Sequence, residues 1–231
     1  MTDHPAPACS PAIPGGAELN PDTTALVIVD MMNRFCDPAW LGRHDDAAQV
    51  AWYRRELEGI IPRIRSVLES FRRRGALVVH VVLARWTPDA REVVPYQRGR
   101  EYDAFDTQAM SVIPELAPAT GEIVIRKVAS SAFQATGLDF MLRNAGIRQV
   151  VITGQFGDAC CFYTLIMSRE AGFANIWVHD ALLFSNEQMK QTINPLVAGR
   201  WAESLSAEEL VRRLEPSRAA AAPIPSLARK A

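Results

Sequence analysis

Cysteine is scarce in this chain, with four in 231 residues. That is too few for a disulfide scaffold, and none falls in a CxxC or Cys/His spacing that would hold zinc. Free thiols, a reducing compartment and no metal or other cofactor are therefore expected. An excess of one charge is missing as well: 25 Lys and Arg against 26 Asp and Glu leave a formal net charge of -1. Nucleic acids and anionic membranes both select a basic excess, so neither is expected as a partner. No segment is apolar and uncharged for the ~20 residues that a membrane span needs. The start has no basic stretch followed by an apolar one. These absences lead to the expectation of a cytoplasmic protein. What remains, 48% hydrophobic residues with a single core pattern, is the composition of a globular domain.

The first ~20 residues are rich in Pro, Gly and Ala and read as an extended arm over 1–22, because that composition supports neither helical nor strand periodicity. Ala25 to Asp30 is an unbroken apolar run closed by a carboxylate, which suits a strand buried on both faces of a parallel sheet. Helical spacing follows from Asp46 to Arg74, with Leu57, Ile60, Ile61, Ile64, Val67, Leu68 and Phe71 as the apolar stripe and Gly75 as the stop. Further strands are expected at 76–83, 122–126, 149–154 and 174–180, with a short sixth at 200–205. Helices are expected at 137–144, 158–171 and 187–198. Ser206 and Glu209 have capping-box spacing and should open a last helix to about Leu214. An Ala/Pro-rich tail over 215–231 has little to bury. Strands alternating with helices predict a doubly wound α/β domain over 23–214, a three-layer sandwich with a mostly parallel six-stranded sheet. The polar and aromatic stretch from Arg85 to Asp106 is too long for a turn and reads as a lid or binding loop.

Ligands of such folds bind beyond the carboxyl ends of the strands. There the sequence places an acid, an amine and a thiol: Asp30 after strand one, Lys127 after strand three and Cys160 shortly after strand four. Cys160 falls in the first turn of a helix, where free N–H groups and the dipole lower a thiol pKa and can hold an oxyanion. A Lys127 cation would favour thiolate further, and Asp30 could shuttle the proton, which makes a set fit for acyl transfer. The plainer reading stays open beside it, since strand-terminal Asp and Lys often only pair and a free Cys is usually a small buried hydrophobe.

Three segments carry a resemblance. Val29-Asp30-Met31-Met32-Asn33-Arg34-Phe35, Arg126-Lys127-Val128-Ala129-Ser130-Ser131-Ala132-Phe133 and Thr153-Gly154-Gln155-Phe156-Gly157-Asp158-Ala159-Cys160-Cys161 stand in the order seen in the isochorismatase-like superfamily of cysteine hydrolases. The chain resembles that superfamily over roughly residues 24 to 205. The resemblance implies an Asp30-Lys127-Cys160 triad that hydrolyses C–N bonds of small amides, imides or carbamoyl compounds through a thioester. It implies a non-proline cis peptide at Gln155–Phe156, setting the backbone N–H of Phe156 beside that of Cys160 as an oxyanion hole. A small-molecule substrate and a homo-oligomer, dimer or tetramer, are implied with it. Met32 and Arg34 replace the Gln and Asp usual in the first motif. The metal-binding Asp/His/His cluster of nicotinamidases has no counterpart after strand two, where Ala84 to Pro88 stand. The stretch from Phe184 to Arg200 resembles the isochorismatase branch, whose members cleave a vinyl ether with the Asp and Lys and typically lack the cysteine.

Arg85 and Trp86 directly follow strand two and are candidate substrate contacts, one as a carboxylate fork and the other as a wall. Phe35, Trp40 and Phe156 are candidate apolar walls, with Gln155 beside the nucleophile. Cys161 points about 100° around its helix from Cys160 and reads as core. Cys36 reads as loop packing near Asp30, and Cys9 as inert. His179 could act as base in a Cys-His hydrolase, although a lone strand histidine is more often structural. Three functions follow: a C–N hydrolase using the thiol, an ether hydrolase using Asp30 and Lys127 alone, and a silent binding protein suggested by Met32 and Arg34.

Overall fold

A computed structural model describes residues 19–37, 46–97 and 107–215. Most of the expected arm and tail lies outside these residues, as do Cys9, Trp40, His44, Tyr102 and Phe105. The last residues of the arm belong to the domain, because Leu19 is buried and its N–H donates to the Arg213 carbonyl.

Six strands form one sheet: β1 (Thr24–Val29), β2 (Leu77–Leu83), β3 (Ile123–Lys127), β4 (Gln149–Gln155), β5 (Ala174–Leu183) and β6 (Glu203–Leu205). Their order is β3-β2-β1-β4-β5-β6, and every neighbouring pair is parallel. The mostly parallel expectation thus becomes a sheet parallel throughout. Among the described residues, six α-helices accompany the sheet: α1 (Asn33–Cys36), α2 (Ala47–Arg73), α3 (Leu138–Asn144), α4 (Cys160–Glu170), α5 (Glu187–Val197) and α6 (Ala207–Leu214).

The reason for an unbroken apolar β1 is visible in the layers. Leu26 and Ile28 pack with Leu57, Ile64, Phe71 and Leu210 on the face of α2 and α6, while Ala25, Val27 and Val29 pack with Leu138, Leu142 and Leu165 on the face of α3 and α4. A strand covered on both sides has no solvent face to carry a polar alternation. Local signals set the helix limits. The Asp46 carboxylate caps α2 at the Gln49 N–H (2.8 Å), and Gly75 ends it with φ +62°. Ser206 and Glu209 make the expected capping box of α6. Pro62 lies inside α2 on its exposed face, where the carbonyl it leaves without a partner opens to water.

One polar network ties the face of α2 to the sheet. Glu122 accepts from Arg72 at 2.7 and 2.9 Å, from the Ala119 N–H at 2.8 Å, and stands 2.9 Å from His80 Nε2. His80, buried in β2, is thus a paired core histidine. Burial lowers its pKa and more than offsets the pull of Glu122.

What positions the site is the strand order. Connections run outward in opposite directions from β1 and β4, so the chain diverges between these two strands and leaves a crevice at their carboxyl ends. Val29 is level with Val81 on one side and with Gly154 on the other. Asp30 follows Val29 directly and enters the crevice with φ +53°, and its N–H is held by the Val81 carbonyl at 2.8 Å.

Candidate active site

Asp30, Lys127 and Cys160 meet at that crevice. Lys127 is the last residue of β3, level with Leu83 at the end of β2. Its side chain is fully buried, and the ammonium pairs with Asp30 Oδ2 at 2.9 Å and donates to Cys160 Sγ at 3.3 Å and to the Ala129 carbonyl at 3.2 Å. Ala129 enters through a backbone atom, so no side-chain pattern announced it. Lys127 thus stands between the Asp30 carboxylate and the Cys160 sulfur, with all three side chains buried.

Their protonation follows from burial and mutual charge. For Asp30, burial dominates and raises the pKa above the ordinary 3.8, although Lys127 pulls it down. For Lys127, burial opposes the charge, but Asp30 and Cys160 outweigh it and the ammonium is held more firmly than usual. The thiol corrects the sequence-based expectation. Burial pushes Cys160 up to about 12, with the Asp30 carboxylate adding to the rise and Lys127 only partly offsetting it. Burial thus favours the neutral form of the Cys160 thiol.

The turn between β4 and α4 carries the second half of the site. The peptide bond Gln155–Phe156 is cis, where the resemblance puts one. The Phe156 carbonyl accepts from the N–H groups of Ala159 and Cys161, both at 3.0 Å. Cys160 opens α4, so its N–H has no acceptor within the helix, and among the described residues neither it nor the Phe156 N–H donates to a backbone carbonyl outside the regular elements. The turn is clamped to the end of β5. Gly157 N–H donates to the Leu183 carbonyl at 2.6 Å, and the Asp158 carboxylate accepts from the Ser185 N–H at 2.9 Å and its hydroxyl at 2.5 Å. Phe184 lies so close over Gly157 that an added Cβ would stand 2.4 Å from the ring. Trp52 Nε1 and Gln49 Nε2, both on α2, hold the carbonyls of Phe184 and Ser185 in turn.

Of the candidate walls, Phe35 and Phe156 meet edge to face with centroids 6.0 Å apart. Tyr53, absent from the sequence-based candidates, joins them at 5.4 Å from Phe156. Its signal was present, since it precedes Leu57 by one helical turn on the apolar stripe of α2. Gln155 is wholly buried and donates to the Asp30 carbonyl at 2.7 Å and to Cys36 Sγ at 3.2 Å. Cys36 thus touches the groups that hold Asp30. Cys161 is fully buried core.

Among the described residues, no hydrogen bond or ion pair joins Arg85 or Trp86 to the triad. Trp86 is 60% exposed and carries the Arg126 guanidinium on its ring at 3.8 Å. The described part of the long segment after β2 instead reaches the loop after Lys127 through Tyr96, whose hydroxyl is 2.7 Å from Ser130 Oγ. Met32, one of the two departures from the first motif, is fully buried with Val82, Leu83 and Met110. His179 is 3.3 Å from Ser204 Oγ and lines a separate surface pocket of about 310 Å³ with Arg55, Arg63, Asp180 and Lys190, which none of the triad lines.

The chain is similar to several known proteins. Over 190 residues the chain is 31% identical to a ureidoacrylate amidohydrolase of Methylorubrum extorquens, covering 74% of each. It is 27% identical over 197 residues to an isochorismatase of Bacillus subtilis, covering 85% of this chain and 59% of that one. Among solved structures, N-carbamoylsarcosine amidase from Thermoplasma acidophilum superposes with a TM-score of 0.64 at 29% identity, over 80% of this chain and 97% of that one. A cysteine hydrolase from Pseudomonas syringae pv. phaseolicola shares the fold with a TM-score of 0.72 at 22% identity, over 85% and 94%. Residues 24–228 match the isochorismatase domain, and with the sheet order and the buried Asp-Lys-Cys cluster described above this makes the chain a member of the isochorismatase family of hydrolases.

Proposed function

We propose that the protein cleaves a C–N bond of a small amide, ureido or carbamoyl compound through a thioester on Cys160. The observation that carries this reading is the placement of Lys127 Nζ, 2.9 Å from Asp30 and 3.3 Å from Cys160, in a site closed to water. The substrate carbonyl enters beside Sγ, its oxygen toward the N–H groups of Phe156 and Cys160. Asp30 removes the thiol proton as sulfur attacks, and the two N–H groups hold the negative charge that develops on oxygen. Lys127 keeps Asp30 oriented and balances the charge of whichever group is ionised. The C–N bond then breaks, Asp30 passes its proton to the departing nitrogen, and the amine leaves. Water attacks the thioester, Asp30 accepts a proton from it, and the sulfur regains that proton as the acid or carbamate is released. Similarity to amidohydrolases of ureidoacrylate and N-carbamoylsarcosine supports a carbamoyl-type substrate.

Intact-protein mass spectrometry during incubation with a panel of small amides and ureides tests this directly. An acyl adduct that maps to Cys160 is expected. Turnover of isochorismate with no adduct on any cysteine would favour the second reading, vinyl-ether hydrolysis by Asp30 and Lys127, which the similarity to the Bacillus subtilis isochorismatase suggests.

The proposed base also fixes the direction of a pH effect. Asp30 must be ionised to take the proton, and burial raises its pKa above 3.8. The logarithm of kcat/KM is therefore expected to fall as pH drops, with its acid limb centred above that of a free aspartate. A limb at or below 3.8 would count against Asp30 as the base.

A further inference from the structure

Gln155 is fully buried and both of its amide protons are engaged, one by the Asp30 carbonyl at 2.7 Å and one by Cys36 Sγ at 3.2 Å. The orientation of the amide is fixed by this, because turning it over would set Oε1 against the Asp30 carbonyl, acceptor on acceptor. Among the described residues, Oε1 is left buried without a hydrogen-bond partner. A buried acceptor in that state is costly unless something donates to it. It stands at the carboxyl end of β4, where the cis peptide, Phe156 and Asp30 also lie.

We propose that Gln155 is a specificity-determining residue whose Oε1 accepts an N–H from the substrate's carbamoyl or carboxamide group. The inference rests on the thioester reading above and narrows it to substrates that carry N–H donors on the reacting group. The chemistry is complementary. A carbamoyl group offers one carbonyl oxygen and an NH2. The site offers the N–H groups of Phe156 and Cys160 for the oxygen, and the carboxylate of Asp30 and Oε1 of Gln155 for the NH2. An ester or a vinyl ether has nothing to give to Oε1, so binding one leaves that oxygen unpaired.

Two activated esters separate this role from a purely structural one. With p-nitrophenyl carbamate, Cys160 loses its proton, gains the carbamoyl group and releases p-nitrophenol. With p-nitrophenyl acetate it gains an acetyl group, which has no N–H. In Gln155→Met the ratio of carbamoylation to acetylation rate is expected to fall at least about tenfold, the effect of leaving one polar partner unmatched. Cys36→Ala, which removes the other partner of the amide and leaves Oε1 in place, should keep the wild-type ratio. Loss of both rates in equal proportion, or no loss, would overturn the role of Gln155 and mark Oε1 as the partner of a buried water. Because the ratio is taken on one protein sample, partial unfolding of the variant cancels. On the unaltered protein, acetamide should slow acetylation at concentrations at least about tenfold below methyl acetate, and equal potency would count against the proposal. Absence of a Cys160 adduct from either ester would overturn the thioester reading itself, and the inference with it.

Discussion

Cys160→Ala should abolish C–N cleavage while leaving the fold intact. With no sulfur there is no covalent intermediate, and Asp30 is left with no proton to take from a nucleophile. Losses on removing a covalent nucleophile are of the order of 10⁴ or more in kcat. The packing cost is small by comparison, because the change removes one sulfur from a site that is 7% exposed. Lys127 keeps the Asp30 carboxylate and the Ala129 carbonyl as acceptors, so no buried charge is stranded. A Cys160→Ser protein should be nearly as inactive, since an alcohol is a weaker acid than a thiol already pushed up to about 12. The measurement is steady-state turnover of whichever amide gives the adduct, with circular dichroism as the control for folding. Undiminished amide turnover in the alanine variant would show that C–N cleavage does not pass through a thioester on Cys160.

The largest effect on stability is expected from Gly154→Ala. Gly154 has φ +111°, a conformation essentially closed to other residues, and a Cβ there would stand 2.1 Å from the Val29 carbonyl oxygen and 2.7 Å from its nitrogen. Those atoms are the backbone of the central strand β1, so no rotamer change can relieve the clash, and β1 and β4 must separate. Overpacking combined with a forbidden backbone region is expected to cost at least about 3 kcal/mol. For a domain of this size that lowers Tm by roughly 6–12 °C. Because Asp30 is the next residue after Val29, activity should fall by more than the loss of folded protein explains. A thermal melt and an assay of the soluble fraction check both, and a variant with wild-type Tm would contradict this account of the close approach.

These two positions differ in how far the sequence revealed them. Cys160 stood out because its motif and its place after an apolar strand are both local. Gly154 lies in the same motif, but the reason for a glycine there was not legible, because it comes from the distance to Val29, which belongs to a strand more than a hundred residues earlier. Tyr53 and Ala129 are similar cases. One reaches Phe156 across the top of the sheet, and the other contributes only a carbonyl.

The sequence by itself determined the main elements and many of their limits, although β5 runs on to Leu183 and the short α1 (Asn33–Cys36) has no counterpart among the expected elements. Apolar runs made the strands, the stripe from Leu57 to Phe71 made α2, and the side chains of Asp46 and Ser206 set where helices begin, all through contacts within a few residues along the chain. It also determined which three residues stand at strand ends. Only the tertiary structure decided what they are to one another. The strand order brings Asp30 and Cys160 to the same ammonium, since pairing between distant strands is fixed by how two apolar faces are covered at once. Burial raises the Cys160 pKa where the helix start and Lys127 alone would lower it. A helix N-terminus and one lysine can be read from neighbours in sequence, whereas desolvation is the sum over everything that folds around the group.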